Sequence, residues 1–285
     1  MPQHLARMGL GIRMSTLGWL ILAVVLVLCW QVSQVCACFA VIVGRGASAD
    51  GSVLVAHNEE NHGRHTLNFR LVPPGSFKAG DVARLRRGGA LEHVPQTAGF
   101  LWSENPGLEF SDGYLNEYGV AIVSDGCASR EDDYDALVAR GEIRHGGIGY
   151  MLRRLVAQRA RSAREGVRLA GGLVERFGYA ASGRTYVIAD PREAWLLAVV
   201  RGRRWVARRV PDDTVVVLPN VHIIGRVNLE DSGNFLASAD LIGYAAGRGW
   251  FDPDARAPFS FRGVYQTADR NGPDQRRWWG QQLVT

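Results

Sequence analysis

Fourteen consecutive uncharged residues run from Leu17 to Trp30 (LGWLILAVVLVLCW) near the start of the chain. A membrane-spanning helix needs about 20 such residues, so the run is short for a span. Its flanks are those of a leader. Arg7 and Arg13 precede it, no acidic residue occurs before position 38, and Val35-Cys36-Ala37 supplies small or branched side chains ahead of a cut. A basic segment, an apolar segment and a small-residue cleavage site make a secretory signal peptide. The expected signal peptide is 1–37, the expected domain is 38–285, and the expected location is outside the cytoplasm: periplasm, medium or cell surface.

Cleavage there would make Cys38 the first residue. A thiol and a free α-amine would then share one residue. Their ordinary pKa values, about 8.5 and about 7.7–8.0, are close enough for the amine to take the thiol proton near neutral pH. That gives a nucleophile and its base without a separate histidine. Two other readings of Cys38 stay open. Val-Cys-Ala-Cys also reads as a lipobox, with Cys38 acylated as a membrane anchor and its amine blocked. A disulfide to Cys127, the other cysteine after the leader, is the second.

Composition narrows the class. Hydrophobic residues are 47% and charged residues 21% of 285, the balance of a globular chain rather than a disordered one. The net charge of +5 invites a nucleic-acid partner, but Lys78 is the single lysine among 33 basic residues and the arginines are scattered. No dense basic run, zinc-finger or RRM signature is present, so no nucleic-acid partner is expected. A Gly-x-Ser-x-Gly elbow, His-Glu-x-x-His, a P-loop and a dinucleotide fingerprint are all missing.

After Cys38, CFAVIVG and VLVAHN flank an Asp50-Gly51 turn and read as a β-hairpin. Strands are expected at 68–72 and 119–124, with Asn116–Gly119 as a second hairpin turn. Residues 149–163 carry a helical pattern. Ser162 and Glu165 form a capping-box signal for the next helix, which Gly178 closes. Strands resume at 185–189, 195–200, 205–210 and 214–218. Further helices are expected at 234–247 and from Pro273 onward. Hairpins without βαβ alternation predict mainly antiparallel sheets, and two sheets face to face with helices outside suit this order.

The stretch from His57 to His65 (HNEENHGRH) directly follows the second strand of the first hairpin, beside Cys38. Its polar side chains are candidates to position the nucleophile and substrate. A metal site using His57, His62 and His65 matches no standard zinc spacing.

The segment CFAVIVGRGASADGSVLVAHNEEN resembles the amino-terminal motif of the C69 dipeptidase family, N-terminal nucleophile hydrolases related to choloylglycine hydrolases and penicillin V acylases. GYLNEYGVAI, from Gly113 to Ile122, and Leu218-Pro219-Asn220 also resemble it. The resemblance implies an α+β fold: a four-layer αββα sandwich of two mainly antiparallel sheets flanked by helices. It implies hydrolysis of small peptides with no metal or cofactor, and a membrane association only through the leader or a lipid anchor. It makes Cys38 the nucleophile and its own amine the base, and places Asn220 near the oxyanion. Glu60 stands where the family has the aspartate that contacts the nucleophile's amine, and His57 stands where it has arginine. Glu60 and Asn58 are expected to orient the new terminus, and His57, Asn58 and Asn116 are candidate substrate contacts. The chain ends inside a helical pattern where family members generally continue, which implies a shortened or truncated member. An amidase on non-peptide acyl amides, or a lipid-anchored binding protein, are the alternatives.

Overall fold

The computed structural model describes residues 38–60, 66–105, 111–267 and the single position 282. The expected signal peptide, His62 and His65, and the expected helix from Pro273 except position 282 lie outside the described residues. In chain order come β1 (Phe39–Val43), β2 (Leu54–Asn58), β3 (Asn68–Val72), β4 (Gly75–Ser76), β5 (Val82–Arg84), β6 (Ala90–Glu92) and β7 (Gln96–Thr97). β8 (Phe100–Glu104), β9 (Ser111–Asn116) and β10 (Ala121–Cys127) follow, then α1 (Tyr134–Ala139), α2 (Met151–Arg159) and α3 (Ala163–Phe177). β11 (Tyr179–Ala189), β12 (Ala194–Gly202), β13 (Trp205–Arg209), β14 (Val215–Pro219), β15 (Phe235–Ala237), α4 (Leu241–Gly247) and α5 (Phe261–Tyr265) complete it.

Two antiparallel sheets carry the fold. The large one has the order β15-β13-β12-β11-β10-β9-β8-β3, the small one β14-β1-β2. This is the αββα sandwich class. Alternation along the strands of the large sheet gives each face its own core. On one face, Ile122, Tyr186, Ile188, Trp195 and Leu197 pack against Leu152, Leu155 and Val156 of α2 and Val167, Val174 and Phe177 of α3. On the other, Val187, Leu196, Ala198 and Val206 meet Ala40, Ile42 and Leu218 of the small sheet. Leu241 and Ala245 of α4 and Phe261 and Val264 of α5 enter this second core, on the small-sheet side.

Local chemistry fixes the helix ends. The Ser162 hydroxyl accepts from the Glu165 N–H at 3.2 Å, and the Glu165 carboxylate accepts from the Arg161 N–H at 2.8 Å. Gly171 lets α3 sit directly on β13, since a Cβ there would lie 2.3 Å from the Trp205 ring. The helix expected over 234–247 is corrected. Phe235–Ala237 pairs with β13 as an edge strand, through Val206↔Ala237 and Arg208↔Phe235, and only Leu241–Gly247 is helical. Sheet pairing outcompetes the local helical pattern there.

The small sheet is narrower than the large one. Leu71, Leu101 and Leu115 form one row across β3, β8 and β9 on the face away from α2, and all three are exposed, Leu71 to 80%. The outward face of the small sheet exposes Phe39 and Leu54.

Asn116 has a structural task, which corrects its expected place in substrate binding. Its side-chain N–H groups donate to the carbonyls of Ala157 (3.0 Å) and Ala160 (2.7 Å) at the end of α2. Its carbonyl accepts from the N–H groups of Tyr118 (3.1 Å) and Val120 (2.9 Å). The amide has two donors and two lone pairs, so nothing is left over for a ligand. Asn116→Ala strands buried partners in the β9–β10 turn and at the α2 C-terminus. We expect it to lower stability by about 1–3 kcal/mol in urea unfolding, with substrate affinity of the folded protein unchanged.

Candidate active site

The site forms where the small sheet ends. β1 is its central strand, with Phe39 opposite Asn58 on β2 and opposite Pro219 on β14. One step further, the register sets Cys38 between Glu59 and Asn220. The two-residue period of a strand turns Cys38, Ala40 and Ile42 to the inner core, together with His57 and Glu59 from the β2 side and Leu218 and Asn220 from the β14 side. Cys38, at 4% exposure, and Asn220, at 7%, are both buried.

The Cys38 sulfur accepts a hydrogen bond from the Glu60 N–H at 3.2 Å. Its thiol donates toward Glu59 Oε1 at 3.5 Å, with the Glu60 carbonyl at 3.8 Å. His57 Nε2 donates to Asp125 Oδ1 at 3.1 Å and lies 3.9 Å from Glu59 Oε2. Asp125 is fully buried on the inner face of β10, so this bond ties the two sheets together directly beneath the thiol.

Glu59 is the group whose proton affinity the fold alters. Burial pushes its carboxyl above the ordinary glutamate value. Arg153, Arg184 and His57 oppose that, and Asp112 adds to it. Arg153 comes from α2 and donates to the Asp112 carbonyl at 3.4 Å. Arg184 comes from β11 and donates to the Ser124 carbonyl and hydroxyl at 3.2 and 3.1 Å.

The second cysteine has a different environment. Cys127 is buried, its Sγ 3.5 Å from Thr185 Oγ1, and burial pushes its thiol up to about 12. A thiol held there is not a nucleophile at neutral pH. Cys38 and Cys127 are separate free thiols, so the alternative disulfide is corrected. Beyond Thr185 lies His222, Nδ1 at 3.3 Å, buried and pushed down to about 3, hence neutral.

The structure therefore brings Cys38, His57 and Asn220 to one face. It treats the other expected residues differently. Glu60 meets the sulfur through its backbone, and the residue is exposed. The carboxyl that reaches the sulfur belongs to Glu59, which shares the face of Cys38. Asn58 pairs with Phe39 and faces outward, exposed, so its expected place beside the thiol is corrected. Sequence reasoning held Glu59 only as part of the polar stretch after β2, favoured Glu60 over it, and missed Arg153 and Arg184 as site groups. Strict alternation along β2 would have separated Glu59 from its two neighbours; nothing in the sequence marks the arginines.

The model of peptidase family C69 matches residues 37–285. The chain belongs to peptidase family C69. It is 29% identical over 242 residues to a probable dipeptidase of Salmonella dublin, covering 84% of this chain and 55% of that protein. A probable dipeptidase of Latilactobacillus sakei is 27% identical over 258 residues, covering 88% and 54%. The chain thus spans about half the length of the curated relatives it matches. Among solved structures it is similar to penicillin V acylase from Agrobacterium tumefaciens, with a TM-score of 0.37 at 15% identity over 65% of this chain and 50% of that one.

The raised Glu59 pKa has a signed consequence. The neutral carboxyl suits its buried place, so that contribution to stability is full below the ordinary glutamate pKa. It is lost as pH rises through the higher native value. Glu59→Gln keeps the neutral form at every pH. Urea midpoints measured from pH 4 to 8 are expected to decline with pH less steeply in Glu59→Gln than in the parent. Equal slopes would remove Glu59 as the source.

Proposed function

We propose that this chain is an exported cysteine-type dipeptidase whose nucleophile becomes the N-terminal residue by cleavage between Ala37 and Cys38. The single observation that supports it best is the row Glu59–Cys38–Asn220 across three adjacent strands, buried at a sheet end with a backbone N–H aimed at the sulfur.

The reaction runs in two halves. The freed α-amine takes the Cys38 proton, and the Glu60 N–H stabilises the thiolate. The thiolate adds to the peptide carbonyl carbon, and the electron pair of the C=O bond moves to oxygen. The Asn220 side-chain amide donates to that oxygen. The C–N bond breaks, the α-ammonium returns its proton to the leaving amine, and a thioester remains. Water, deprotonated by the same amine, then adds to the thioester and releases the acid and the thiol. The Glu59 carboxylate, beside the sulfur, holds the ammonium form of the new terminus in place. His57 acts on this assembly from below, by fixing the β2 strand to Asp125.

The expected consequences are sharp. Cys38→Ser and Cys38→Ala should each lower kcat/KM on dipeptides by at least about a thousandfold, as loss of a covalent nucleophile does. Intact mass of the exported protein should begin at Cys38 with an unmodified amine. Retained upstream residues or an acylated amine would overturn the proposal, the second in favour of a lipid-anchored protein. Turnover of N-acyl amides with none of dipeptides would transfer the assignment to an acylase of the same mechanism.

A further inference from the structure

The inner face of the large sheet is covered over only part of its width. Paired residues of adjacent strands share a face. The row of Ala194, Ala189 and Ala121 therefore continues as Leu115, Leu101 and Leu71 across β9, β8 and β3. The next row runs from Leu196 and Val187 on β12 and β11 to Phe69 on β3. Both rows start in the inter-sheet core, where Ala194, Ala189, Leu196 and Val187 are buried. Both end bare: Phe69 is 72%, Leu71 80%, Leu101 40% and Leu115 46% exposed. Among the described residues β9, β8 and β3 give nothing to that core. Yet β3 alternates Asn68 and Arg70 on one side with Phe69 and Leu71 on the other, so the bare side is the one its pattern assigns to burial.

The cover stops at β2. β2 lies over β10, joined to it by His57 and Asp125, and β1 and β14 carry on over β11, β12 and β13. Three strands of the large sheet, β9, β8 and β3, extend past it. β2 and β3 each end their sheet, and no described strand pairs with their outer edges.

Strand direction decides what can fill the gap. β2 runs with β10. Its end meets the end of β10 through His57 and Asp125. Its start, Leu54, pairs with Val43, and the next residue, Gly44, packs against the Pro211 carbonyl. Val210 beside it donates to the Ala194 carbonyl, in the row that holds Ala121 at the start of β10. β3 lies three antiparallel steps from β10 and so runs against it. β2 and β3 therefore run in opposite directions.

We propose that this bare half-face docks a second copy of the chain, about a two-fold axis parallel to the strands and midway between the sheet planes. Such an axis lays β3, β8 and β9 of the partner over those of the first copy, apolar face to apolar face, at the spacing of about 10 Å usual for stacked sheets. It reverses their order, which brings the partner's β3 alongside β2. It preserves strand direction, so these two strands run antiparallel and can form a ladder. The same operation sets β3 of the first copy against the partner's β2, so both bare faces and both pairs of open edges are covered together. An axis across the strands would instead drive the partner's large sheet into the small sheet. The two rows carry no charged side chain on β3, β8 or β9, so docking does not bring the net charge of +5 on each copy into direct opposition there. The contact continues the existing inter-sheet core, and it is independent of the dipeptidase reading. It also gives each copy a strand beside β2, next to His57 and Glu59, as one wall of the candidate site.

The test is the mass and the edge protection of the full chain in solution. Sedimentation equilibrium is expected to give twice the mass of one chain. Leu71→Arg, at a position too exposed to endanger the fold, should weaken dimerisation at least about a hundredfold, because the two-fold axis buries the charge twice. Leu71→Ile should keep the dimer. In hydrogen exchange, amides of 54–58 and 68–72 should exchange at least about tenfold faster in Leu71→Arg than in the parent, with β11 and β12 unchanged. A monomeric parent would overturn the proposal and leave the face to strands of a different polypeptide. A dimer that survives Leu71→Arg, or one whose loss leaves exchange at β2 and β3 as it was, would overturn it as well.

Discussion

The row formed by Glu59, Cys38 and Asn220 depends on backbone pairing, not on any attraction among the three side chains. β1 is hydrogen-bonded on both sides, so its register is set twice, against β2 and against β14. A one-residue slip in either pairing would turn the whole partner strand over, because side chains alternate faces with period two. The apolar residues prevent that slip. Ala40, Ile42 and Leu218 are buried between the sheets, and moving any of them outward would expose a large part of the inner core. The hydrophobic effect thus fixes the register, and the register places the polar residues one step beyond the apolar ones.

A polar row at the end of a dry interface must balance its charges. Glu59, Asp112 and Asp125 are largely enclosed, and unpaired carboxylates there would be costly. The compensating cations arrive from the other sheet and its helix: Arg184 from β11 and Arg153 from α2. His57 serves Asp125 directly. A histidine at position 57 is then intelligible. With two guanidiniums acting on Glu59 from outside β2, position 57 is left to bridge the sheets, a task that suits the short, planar imidazole.

The sequence carried the fold further than it carried the site. Strand 68–72 and the helix capped by Ser162 appear where the alternation and the capping box put them. The failure at 234–247 came from pairing across the sheet: Phe235–Ala237 gains backbone partners on β13 that no local pattern advertises. Cys38 stood out in the sequence because the chemistry expected of it is tied to one place in the chain, the position after an expected cut. Glu59 was overshadowed by Glu60, which the family motif highlights, although period-two counting separates them. Arg153 and Arg184 were illegible: each is one arginine among many, and only folding brings a helix residue and a strand residue to one carboxylate.

The contrast between the two thiols shows what the site must supply. Both cysteines face the inner core, and both lie near hydrogen-bonding groups. Cys127 has a hydroxyl and a carbonyl beside it, and burial outweighs the opposing pull of Thr185 and Arg184, so the neutral thiol is favoured. Cys38 lies just before β1, where the backbone N–H of Glu60, past the end of β2, points at sulfur. A strand interior offers no such donor, since its N–H groups belong to the neighbouring strands. A thiol that is to accept a backbone N–H therefore has to sit where regular pairing stops, as Cys38 does just before β1.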